Sequence, residues 1–170
     1  MTITLLFVLL AVAFVATLLY LARGGTAPAR RGEIQYVDME AFKNLMDAGE
    51  RAYLAANLPA KEFRAIHRER QRSALEYIAA VSSNASTLLI LAQEARHSSD
   101  PEVVQAANTM IENATQVRVN AAGATFRIYV GLVLPSWAVL PANLADRYER
   151  LTSLGLRLQG LRFRSAESVA

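Results

Sequence analysis

A chain of 170 residues with no cysteine and a net charge of only +3 excludes several classes at once. It has no disulfide framework, no thiolate nucleophile and no cysteine-ligated metal site, and no block is basic enough to demand nucleic acid. Less about 30 residues of apolar start and linker, the length fits one compact domain.

Arginine outnumbers lysine sixteen to two and alanine is abundant, the usage expected of a GC-rich bacterial genome. Residues 3–22, ITLLFVLLAVAFVATLLYLA, contain no charge and no proline. Twenty residues at about 1.5 Å each match the roughly 30 Å hydrocarbon core of a bilayer. A cleaved signal peptide has a basic start and a shorter apolar core of about 7–15 residues. Here only Met1 and Thr2 precede the core, and Arg23 stands where small residues should lead to cleavage. Ala27-Pro28-Ala29 mimics a cleavage site but lies beyond that arginine and carries a proline. The reading is therefore a retained single-pass transmembrane anchor over 3–22, with Tyr20 at interfacial depth.

Arg23, Arg30 and Arg31 follow the span and no cationic side chain precedes it. The positive-inside bias then places the C-terminal domain in the cytoplasm and the anchor in the inner membrane. Gly24-Gly25 and Pro28 make residues 23–37 a tether.

The remaining chain reads as helix, and the expected fold is all-α. A single N-terminal transmembrane helix is followed by a bundle of about four helices, over 38–160, with a tail at 161–170. Asp38 is the N-cap of a first helix carrying Met39, Phe42, Met46, Gly49 and Tyr53 at three- and four-residue steps, closed by Asn57 and Pro59. A second, unusually long helix carries Phe63, Ile66, Arg70, Ala74, Ile78, Val81, Ala85, Leu88 and Ala92, ending near His97. In "HSSDPE", Asp100 is an N-cap, Pro101 opens the next helix and Glu102 lies in its first turn. So short a connection makes the second and third helices an antiparallel hairpin. The third helix shows Val103, Ala107, Met110, Ala114, Val117, Ala121 and Ala124, and ends before Pro135. A fourth, 143–160, aligns Leu144, Tyr148, Leu151, Gly155 and Leu158. Small residues in "IAAVSSNASTL" and "VNAAGAT" let the hairpin helices approach closely. Ser82, Ser83, Asn84, Ser86 and Thr87 make a second membrane span over 77–93 costly.

No motif names a chemistry. Glu94-Ala95-Arg96-His97 matches one Glu-x-x-His element of a di-iron bundle, but the second copy is missing, because Arg64 stands three residues before His67. No catalytic residue, cofactor or metal site is assigned. Asn84-Ala85-Ser86 and Asn113-Ala114-Thr115 are glycosylation sequons in form only, both inside expected helices. Two surfaces remain. Arg64, Arg68 and Arg72, interleaved with Glu62, Glu69 and Glu76, form a salt-laced face that could meet anionic lipid or an acidic partner. Trp137, Val139 and Leu140, in the charge-free connection between Pro135 and Pro141, could cap the core or dip into a lipid interface or a partner's groove.

Two functional expectations follow. The first is a membrane-anchored, non-catalytic interaction or scaffold module with a protein partner or self-association and no nucleic acid. The alternative is a ligand-binding sensor or enzyme with a pocket between helices near Arg70, because an arginine on an apolar stripe needs an anionic partner.

Overall fold

The computed structural model describes residues 5–12, 15–16, 34–133 and 143–167. Every element among them is an α-helix, and they include no strand. Residues 5–12 and 15–16 of the apolar start are helical. The domain beyond comprises α1 (Met39–Met46), α2 (Ala48–Asn57), α3 (Ala60–Ala95), α4 (Pro101–Val133) and α5 (Asn143–Glu167).

Asp38 caps α1 as its side chain predicts, with Oδ1 accepting from the Ala41 amide at 3.0 Å. The single first helix expected from the sequence is in fact two. Asp47 leaves the helical region (φ −68°, ψ 120°) and ends α1, while its Oδ1 accepts from the Gly49 amide at 2.8 Å and caps α2. An Asp-Ala-Gly sequence favours this break, because aspartate competes for local amides and glycine is a poor helix former. α2 buries no residue, so the periodic apolar pattern there was weak evidence for packing. Asp100 caps α4 through the Glu102 amide at 2.8 Å, with Pro101 in first position. α3 ends at Ala95 with Arg96 as its C-cap, and His97 lies in the turn beyond. The tail expected from residue 161 begins instead as helix, since α5 runs to Glu167 and buries Leu161.

Three seams make the core. On α3 the buried residues Ala74, Ile78, Val81, Ala85, Leu88, Ala92 and Ala95 alternate steps of four and three. Val103, Ala107, Met110, Ala114, Val117, Ala121, Ala124 and Ile128 do the same on α4, and Leu144, Tyr148, Leu151, Gly155 and Leu158 on α5. A mean step of 3.5 residues is the coiled-coil spacing, which keeps one seam facing its partner over many turns. Alanine at every other seam position of α4 (Ala107, Ala114, Ala121) leaves little between the backbones, so α3 and α4 pack closely.

Cross-contacts fix the directions. Asn84 meets Tyr148, and Leu88 lies against Gly155, so α3 and α5 run parallel. Gln116 meets Arg147, while Met110 lies against Gly155, so α4 runs against α5 and hence against α3. The stretch from Gln35 to Leu45 passes Asn84, Tyr77 and Arg70 in turn, running down α3 in the opposite sense. The domain is thus a four-layer helical bundle, with α1 and α2 together forming one layer.

α3 is long and apolar enough to cross a membrane by length and composition. Its seven seam residues, with Ser82 and Asn84, face inward, the pattern of a bundle's central helix.

Gly155 tests how tightly the three seams meet. A Cβ there would stand 3.2 Å from Leu88 Cδ2 and 3.8 Å from Met110 Cε. Gly155→Ala should be close to neutral, because its gain of about 1 kcal/mol in helix propensity offsets displacement of the Leu88 tip. Gly155→Val, with two further carbons, should lose roughly 1–3 kcal/mol in urea unfolding. Equal stability for valine and glycine would show that the seam has slack.

Candidate functional site

The most specific polar constellation lies where the tether meets the bundle. Asn84 is fully buried. Its Oδ1 accepts from the Gln35 amide at 2.8 Å, and its Nδ2 donates to the Gln35 carbonyl at 2.8 Å. The same Nδ2 donates to Tyr148 Oη at 2.6 Å. One carboxamide therefore grips both backbone groups of an extended residue, as a neighbouring strand would, and is steadied from α5. Three hydrogen bonds satisfy a side chain that would otherwise be costly to bury. Burial pushes the Tyr148 phenol above its ordinary pKa, and the Asn84 hydrogen bond opposes that shift. Buried in this way, the Asn84 sequon is inaccessible to any modifying enzyme.

Below this clasp α1 is fixed by three further groups. Phe42 is fully buried and stacks on Tyr77, with ring centroids 5.6 Å apart. Lys43 bridges to α5, donating to Glu149 Oε1 at 2.8 Å with Asp146 at 3.7 Å. The Glu149 hydrogen bond leads the causes that raise the Lys43 pKa, though the pair is exposed and contributes little stability. Arg70 of α3 closes the lower end. Its guanidinium donates to the Asn44 carbonyl at 2.7 Å and pairs with Glu50 at 2.9 Å. The arginine thus caps the C-terminus of α1, where the helix dipole favours a cation. The anionic partner that its place on the apolar stripe demands comes from α2 of the same chain.

Arg64, Arg68 and Arg72 are all exposed on the first half of α3. Arg72 pairs with Glu69 at 3.5 Å in a fully solvated contact. On the same stretch Phe63 stacks against His67 at 5.5 Å. Burial, followed by the charges of Arg51 and Arg70, holds the His67 pKa below its ordinary value. Trp137, Val139 and Leu140 lie outside the described residues.

Glu94 and His97 stand at the far end of α3, and among the described residues no group of three or more His, Asp or Glu could hold a metal ion. Two open grooves flank α4. One, about 270 Å³, is lined by Glu102, Gln105, Ala106 and Thr109 from α4 and by Leu154, Arg157 and Leu161 from α5. The other, about 520 Å³, lies beside the α3–α4 turn along Ser99, Pro101, Val104 and Asn108. Sequence reasoning missed Asn84, which borders the apolar stripe among Ser82, Ser83 and Ser86 and carries no signal of its own. The sequence matches no family profile, and neither a curated protein nor a solved structure is significantly similar to it.

Proposed function

We propose that this chain is a single-pass, membrane-anchored helical module that holds a non-catalytic interaction domain at the cytoplasmic face of the inner membrane. The observation that carries the reading is the clasp at Asn84. A bundle that spends a buried carboxamide on the backbone of Gln35, thirteen residues beyond the apolar stretch, holds the chain arriving from that stretch at a fixed point. The charge-free composition of 3–22 supports an anchor, as do its described residues, which are helical and expose Leu5, Phe7, Leu9 and Val12. Arg23, Arg30 and Arg31 support the cytoplasmic placement of the domain. Its partner is another protein or a second copy. The salt-laced face of Arg64, Arg68 and Arg72 and the apolar segment of Trp137, Val139 and Leu140 are the surfaces first to be mutated.

Carbonate-washed membranes should retain the full chain. A cytoplasm-competent fluorescent protein fused after Ala170 should glow, whereas a periplasm-only reporter enzyme there should be silent. Release by carbonate would remove the anchor, and an active periplasmic reporter would invert the topology.

A further inference from the structure

α5 carries a second amphipathic face that the bundle does not use. Leu156 and Phe163 are 71% and 74% exposed, although both are large and apolar. At 100° per residue they lie about 120–160° around the helix from the buried Leu151 and Leu158, on a side turned away from that seam. Gly160 sits between them on the same outward face, with open space where a Cβ would be. Along one edge of this apolar row runs a cationic one. Arg150, Arg157 and Arg164 recur every seven residues and are exposed. No ion pair among the described residues involves any of the three. Between Glu149 and Glu167 the sequence has no acidic residue, although Glu102 of α4 lines the same groove as Arg157 without an ion pair to it.

An outward apolar row edged by unpaired arginines is the pattern of a helix that lies on an anionic bilayer surface. The Arg64–Arg72 face differs, since its arginines alternate with glutamates and one pairs with Glu69. Position agrees. The segment from Gln35 to Leu45 runs down α3, so its beginning is the end nearest Leu88 and Gly155, toward which α5 extends. Leu156 and Phe163 lie about 12 and 22 Å along α5 from Tyr148. Residues 23–34, twelve in number, span at most about 43 Å when extended, enough to let this face reach the bilayer that holds the anchor.

We infer that the outward face of α5, formed by Leu156, Gly160 and Phe163 with Arg150, Arg157 and Arg164, docks on the anionic lipid surface beside the anchor. This rests on the anchored reading only for the proximity of the membrane, because the face itself is complementary to anionic lipid. Docking lays α5 along the membrane and turns the α3–α4 side of the bundle toward the cytoplasm.

The chain lacks cysteine, so a single Gly160→Cys substitution gives a unique labelling site that leaves both apolar residues intact. The full chain, labelled there with an environment-sensitive fluorophore, is reconstituted in vesicles containing phosphatidylglycerol and a lipid-borne nitroxide. Quenching should be roughly twofold or more above that of a label at exposed Thr115 on α4. It should fall to the Thr115 level in pure phosphatidylcholine, and also in the Arg150→Gln/Arg157→Gln/Arg164→Gln variant, with circular dichroism unchanged. Weak quenching in every lipid, or equal quenching in both lipids, overturns the inference. Efficient crosslinking of Cys-substituted copies to one another without lipid quenching also overturns it and makes the face a self-association surface. Carbonate extraction of the same vesicles reads the anchor separately. A retained chain with an unquenched label refutes only the docking of α5. A released chain whose label is still quenched by anionic vesicles refutes only the anchor.

Discussion

Asn84→Ala should lower the stability of the domain by about 2–3 kcal/mol, roughly 10 °C in melting temperature, and should free the tether from the bundle. The side chain is fully buried and makes three hydrogen bonds, two of them to the backbone of Gln35. Its removal leaves the Tyr148 hydroxyl with a lost donor and opens a small cavity in the α3–α5 seam. Gln35 itself is exposed, so its backbone groups can find water, which is why the expected loss stays below that of a wholly buried network. Tyr148→Phe removes one of the three bonds and should lose about 1 kcal/mol. Because the two residues touch, the double variant should lose less than the sum. Asn84→Asp is the sharper test. It keeps the acceptor toward the Gln35 amide but sets a carboxylate against the Gln35 carbonyl. Burial raises the folded-state pKa of that carboxyl above its unfolded value of about 3.9. Its stability is then fully present below that value and falls as pH rises through the folded pKa. Asn84→Asp should therefore be markedly less stable at pH 7 than at pH 4, relative to the unsubstituted chain. Hydrogen exchange at the Gln35 amide reports release of the tether directly. Unchanged exchange there in Asn84→Ala would mean that the segment is held by something other than the clasp.

The parts of this bundle visible in the sequence are those written in periodicity. Ala74 to Ala92, Val103 to Ala124 and Leu144 to Leu158 recur at three- and four-residue steps, and the structure buries them and continues the seams to Ala95 and Ile128. Asp38, Asp100 and Pro101 are local signals and were equally legible. What pairs across the fold was not. The partner of Arg70 is Glu50, on the preceding helix and twenty residues away in sequence, so its place on the stripe looked like a demand for a ligand. Asn84 sits among Ser82, Ser83 and Ser86 in a stretch whose small polar residues look alike until one is seen to face Gln35. The outward row of Leu156 and Phe163 was hidden for the opposite reason. An α5 with leucines on several sides blurs the distinction between a core face and an unpartnered one. The break at Asp47 shows how a local cap overrides a continuing apolar pattern when the second half buries nothing.

Phe42→Ala should have the largest effect of any single truncation in the tether-proximal layer, about 3–5 kcal/mol. The ring is fully buried and stacks on Tyr77, and Met46 is the other buried residue of α1. The remaining restraints on α1 are weaker. Lys43 meets Asp146 and Glu149 in solvent, and Arg70 holds the last carbonyls from a partly exposed position. The seams of α3, α4 and α5 do not include Phe42 and can stay packed without it. The loss should therefore appear first as undocking of the layer made by α1 and α2, not as collapse of the whole bundle. Trypsin offers a direct readout, because Lys43 and Arg51 flank the released turn at Asp47. With opening and reclosing fast, cleavage there should accelerate by roughly 10²–10³-fold, following the population of the open layer. Circular dichroism should keep most of its helical signal, and the label at Gly160→Cys should respond to lipid as before. A bundle that melts as one unit, with no separate acceleration of cleavage at Lys43 or Arg51, would show that α1 is integral to the core. The segment from Gln35 to Met46 would then come away only when the bundle itself unfolds.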